Sequence, residues 1–157
     1  VDWQRRIDAY CERVGPEFWA EPVNALTNLS FILAAVWGVR AIQGHGPRDA
    51  AAWWLVLLVI AVGVGSFLFH TVATVWAALA DVLPITLFIV SYLVLTVRRY
   101  FGAAWWLAGL VGIAFLPAAE ALGGAVEATV GDGLNGSEGY LPALAALTKR
   151  KDKRSPC

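Results

Sequence analysis

The sequence predicts an all-α protein, a polytopic transmembrane helix bundle. Three observations carry that prediction. The chain is 59% hydrophobic and 15% charged, with a mean hydropathy of +0.62; an ordinary soluble domain carries about 25% charged and roughly 45–50% apolar residues. The apolar residues fall in runs that approach the ~20 a helix needs to cross the hydrocarbon. Tryptophan pairs, Trp53-Trp54 and Trp105-Trp106, open two of those runs, where indole rings favour the headgroup boundary. A formal net charge of zero, with no strongly basic face, argues against nucleic acid as a partner. Cys11 and Cys157 stand at opposite ends, give no metal-ligand spacing and make only a weak case for a disulfide.

Residues 1–14 mix arginines with acids and place Ile7, Tyr10 and Val14 at helical spacing. They predict a short amphipathic or interfacial segment. No basic-then-apolar leader pattern opens the chain, so this segment reads as mature structure. Gly15-Pro16 breaks it, and residues 17–22 bring Glu17, Glu21, Phe18 and Trp19 to a membrane edge.

The first span is expected over residues 23–42. Asn24 and Asn28 share a face of it and are expected to look into a bundle and bond across it. Residues 43–49 form a polar turn containing His45, a solvated loop histidine on this reading. The second span runs over residues 51–72. An apolar link, 73–80, leads to the third span, 81–97, with Pro84 in its first turn, where proline is tolerated. Arg98-Arg99-Tyr100 ends it. The fourth span covers residues 103–122 and holds Glu120, read as a carboxylate reaching an interface. Residues 140–147 begin a fifth run that stops after eight apolar residues, far too few to cross. Residues 148–157 are a basic tail outside the pattern.

Arg40, Arg48, Arg98 and Arg99 fall on the first and third connections, which predicts those as cytoplasmic. The N-terminus then lies on the non-cytoplasmic side, and so do Ser66, His70 and Asp81. These three interrupt one of the most apolar parts of the chain. Ser66 and His70 are four apart, on one helical face. Ionisable residues inside a bundle are costly to place and mark a functional site by default. The bland alternative for the serine and histidine is a helix–helix hydrogen bond without chemistry.

Gly65-Ser66-Phe67-Leu68-Phe69-His70 followed by Asp81-Val82-Leu83-Pro84 resembles the serine–histidine and aspartate motifs of the alkaline ceramidase family. Those proteins are seven-helix intramembrane zinc amidases. Asp8-Ala9-Tyr10-Cys11-Glu12 and Glu21-Pro22-Val23-Asn24-Ala25-Leu26-Thr27-Asn28 resemble the same family, especially its bacterial members. The resemblance covers residues 1–147. It implies that His70 is a zinc ligand, that Asp81 orients or deprotonates the zinc-bound water, and that Ser66 steadies the oxyanion. It also implies that Asp8, Glu12 and Glu21 bind calcium, and that the substrate is a lipid amide, of a sphingolipid or a related lipid, reached within the membrane. The chemistry suits those residue types. Zinc lowers the pKa of bound water to about 7 and polarises a carbonyl, a nearby carboxylate takes the proton, and calcium takes several oxygen ligands.

The family's other two zinc ligands are a histidine pair four apart on its last helix. This chain has two histidines, His45 and His70. It is therefore expected to match the N-terminal part of the seven-helix fold, as an incomplete ceramidase-like domain. The rival expectation, from another class, is a catalytically inactive membrane protein or a remnant that binds calcium or lipid.

Overall fold

The computed structural model describes residues 2–7, 12–13, 15–45 and 49–130. Among them run five helices: α1 (Pro22–Thr27), α2 (Leu29–His45), α3 (Ala50–Val72), α4 (Val75–Tyr100) and α5 (Trp105–Val130). The expected aborted fifth span and basic tail lie outside the described residues, as do Asp8 and both cysteines. The fold is all-helical, and four segments are long and apolar enough to cross a membrane: Pro22–Gly44, Ala50–Val72, Val75–Tyr100 and Trp105–Leu122. α3 is the hub. It packs against α1, α2 and α4, while α5 packs on α4.

The first span is divided at Asn28. The Asn28 backbone stays in the right-handed helical region, φ −64° and ψ −17°, so α1 and α2 continue one another. The Asn28 side-chain amide donates to the Asn24 carbonyl at 2.9 Å. The bond runs along the segment and not across the bundle, because an asparagine at this spacing reaches its own backbone first. α2 extends to His45, so the polar turn begins later than residue 43.

α3 starts cleanly because Asp49 caps it, accepting from the N–H groups of Ala51 and Ala52 at 3.1 and 3.2 Å. The same carboxylate receives both terminal nitrogens of Arg99 at 2.7 and 2.8 Å. The end of α4 is thereby clasped to the start of α3. Arg99 beside it, with the two capping amides, lowers the Asp49 carboxyl to about 2.

The turn between α3 and α4 differs from the expectation. It is two residues long, Ala73 and Thr74, and not the eight of 73–80. Ala73 takes the left-handed conformation, φ 49°, and its N–H bonds the Phe69 carbonyl at 2.9 Å. Thr74 is extended, and α4 begins at once. Residues 75–80 hold three alanines and a leucine, strong helix formers with no breaker among them, so they join the helix. Asp81 is consequently in the second turn of α4, and Pro84 lies inside the helix.

That interior proline has a consequence for packing. Pro84 has no N–H to give the carbonyl four residues back, which is Ala80. The same carbonyl lies against Gly65 of α3. A Cβ at Gly65 would sit 2.7 Å from the Ala80 carbonyl carbon and 3.2 Å from the Asp81 Cα, and nearer still to the Ala80 oxygen. Only glycine lets α3 and α4 meet this closely, the device by which small residues join helices within membranes.

The N-terminal segment is not helical where described. Trp3 and Gln4 form a turn, and Arg6 makes an antiparallel bridge with Thr74. Ile7 N–H donates to Ala73 O at 2.8 Å, Val75 N–H to Arg5 O at 3.1 Å and Trp76 N–H to Trp3 O at 3.3 Å. Two of the four backbone N–H groups that every helix start leaves without partners are thus satisfied from outside α4. Tyr10 and Val14, on which the expected amphipathic or interfacial segment also rests, lie outside the described residues.

Candidate functional site

Ser66 and His70 project from the last two turns of α3, and Asp81 faces them from α4. All three residues are buried, each 8% exposed. Their meeting follows from the local structure. The i, i+4 spacing aligns Ser66 with His70, Gly65 draws α4 inward, and the two-residue turn places Asp81 opposite them. Ser66 and His70 both act electrostatically on the Asp81 carboxylate. Asp81 Oδ1 is buried and has no hydrogen-bond partner. A buried carboxylate oxygen left so costs about 1–3 kcal/mol or more, unless a water, an ion or a substrate fills the place.

The N-terminal segment closes the other side of His70. The Nδ1–H of His70 donates to Glu21 Oε2 at 2.6 Å. The Glu21 side chain, 3% exposed, also receives Arg13 Nε at 2.6 Å on Oε1 and the Asn24 amide at 3.5 Å on Oε2. Arg13 reaches on to the carbonyl of His70 itself, Nη2 to O at 2.9 Å. Glu12 lies at the start of α1, where its two oxygens accept from Val23 N–H at 2.7 Å and Asn24 N–H at 3.2 Å. A negative side chain there suits the positive end of the helix.

Ser66, His70 and Asp81, chosen from the sequence, are therefore brought together. Glu12 and Glu21 approach the same residue, Asn24, with their oxygens bonded to protein donors. Asp8 lies outside the described residues. Sequence reasoning missed Arg13, which stood among interleaved charges, and the contact of Glu21 with His70, which spans 49 residues.

Two observations fit a zinc ion here. An imidazole whose Nδ1 is held by a carboxylate is the orientation that metal-bound histidines carry, and the unpartnered Asp81 Oδ1 is a hard oxygen donor on the same seam. Among the described residues, however, no three His, Cys, Asp or Glu gather into one cluster able to hold a metal. His70 and Asp81 are the residues that would hold such an ion.

Four helices long and apolar enough to cross a membrane suggest a multi-pass membrane protein, with a buried polar trio at one end of a helix seam. The sequence model of the family described as Ceramidase matches residues 8–121, and the chain belongs to that family, whose name denotes hydrolysis of an amide bond in a lipid. No curated protein and no solved structure matches the chain.

Proposed function

We propose that the chain is the ceramidase-type part of a zinc-dependent lipid amidase, acting on the linear amide of a sphingolipid or a related lipid. The observation that carries this reading is the orphaned Asp81 oxygen beside Ser66 and His70 at a membrane seam. When bound, zinc would supply an acidified water and polarise the amide carbonyl. His70 would offer Nε2, the ring nitrogen opposite the one held by Glu21. Asp81 would take the proton of the attacking water and pass it to the leaving amine. Ser66 would hold Asp81 and steady the oxyanion. The low-polarity walls strengthen each of these interactions.

Calcium at Asp8, Glu12 and Glu21 is the second cofactor of the proposal. Its support is the family resemblance: the oxygens of Glu12 and Glu21 are taken by N–H donors, the Arg13 guanidinium among them, an arrangement that does not fit a cation. The rival function is a non-catalytic protein that binds calcium or lipid. Metal analysis of the chain purified in detergent and dialysed against each ion separates the two. We expect zinc to bind and His70→Ala to abolish that binding, with calcium unaffected. Calcium alone, or zinc retained equally by His70→Ala, would reject the amidase reading in favour of its rival.

A further inference from the structure

We infer that Arg13 is a positioning residue for His70, holding the imidazole through Glu21 and the backbone through the His70 carbonyl. Four links close a ring. Arg13 Nε bonds Glu21 Oε1 at 2.6 Å, Glu21 Oε2 receives His70 Nδ1–H at 2.6 Å, the imidazole joins its own backbone, and the His70 carbonyl accepts Arg13 Nη2 at 2.9 Å. A fourth nitrogen contact, Arg13 Nη1 to Gly15 O at 3.3 Å, fixes the guanidinium itself. The Arg13 side chain is 5% exposed and that of Glu21 3%, so this is an interior pair and not a surface one.

Each link has a physical reason. The His70 carbonyl is in the last turn of α3, whose carbonyls lack intrahelical partners. A cation there also meets the negative end of the helix. Glu21, removed from water, needs a partner for its charge, since an uncompensated buried charge is strongly destabilising. The planar guanidinium fork serves acid and carbonyl together, which one compact ammonium cannot do. The carboxylate can only accept, so the proton of a neutral His70 sits on Nδ1. The Nε2 lone pair then faces away from Glu21. The purpose of this arrangement rests on the proposed zinc role of His70; the arrangement itself does not.

The chain holds two histidines, so imidazole ¹⁵N labelling reads the tautomer directly. The variant His45→Gln identifies the His70 signals. At a pH above the ordinary imidazole range, wild type is expected to show His70 protonated on Nδ1. In Arg13→Gln the ratio of Nδ1–H to Nε2–H forms should fall about tenfold, the worth of one charge-assisted hydrogen bond. Arg13→Lys should recover part of that ratio, because it keeps the charge but not the fork. An unchanged ratio in Arg13→Gln overturns the inference. If that variant does not fold, Arg13→Lys carries the test alone: an intermediate ratio supports the inference and a wild-type one overturns it. Zinc ion added to wild type separates the two readings. His70 signals that ignore zinc reject the metal role, while the tautomer result stands by itself.

Discussion

Replacing Gly65 by alanine tests the seam on which Ser66, His70 and Asp81 meet. The new Cβ would lie 2.7 Å from the Ala80 carbonyl carbon, where ordinary contact begins at 3.4 Å. The obstacle is backbone, so no side-chain rotation relieves it, and α4 must retreat from α3 by about 0.7 Å or more. Overpacking of this kind costs about 1–3 kcal/mol. Loss of glycine's backbone entropy returns roughly 0.5–1 kcal/mol, leaving a net loss of roughly 0–2.5 kcal/mol. For a chain of this size each kcal/mol moves the midpoint by roughly 2–4 °C, so a fall of up to roughly 10 °C is expected. Gly109→Ala is the control. No atom lies within 4 Å of its added Cβ, and it should gain about 0.4–1 kcal/mol from the unfolded chain alone. The assay is thermal unfolding in detergent, followed by tryptophan fluorescence. Equal midpoints for the two variants would refute the close approach of α3 and α4 at Gly65.

Two further outcomes follow from charged contacts at opposite ends of the bundle. Glu21→Gln removes the partner of a buried Arg13 and should cost about 3–5 kcal/mol, read as a lowered midpoint in the same assay; a midpoint within a degree of wild type would contradict the pairing. Asp49, lowered to about 2 by Arg99 and two amides, contributes its stabilisation fully above the ordinary aspartate range and loses it as pH falls through about 2. Arg99→Gln should bring the Asp49 midpoint back toward about 3.9, measured by carboxyl ¹³C NMR, and no movement would show that Arg99 is not the cause.

The helices were legible because hydrocarbon crossing leaves a long, local record in the chain. Residues 51–72 and 103–122 read as spans from their apolar runs alone, and α3 begins and ends within a residue of that reading. The convergence of Ser66 with His70 was also local, a matter of four residues on one face. Asp81 was selected correctly as a neighbour, but its place in α4 was not. The turn, Ala73 and Thr74, has no glycine or proline to announce it, so the apolar stretch to Ala80 looked like a link. The partners of His70 on its far side were illegible for a different reason. Arg13 stands 57 residues away and Glu21 49, and no periodicity connects them. Residues 3–7 likewise take their backbone partners from the start of α4 and the turn before it, at a distance that no local pattern records.

The bridge between residues 3–7 and the α3–α4 turn bears on how the protein is made. Trp3, Arg5 and Ile7 precede the described helices in the chain, yet their backbone partners are Ala73, Val75 and Trp76. Those groups exist only once the second hydrophobic segment is complete and the third has begun. Residues 3–7 therefore find these partners only after the α3–α4 turn has been made, and the pairing then closes the start of α4.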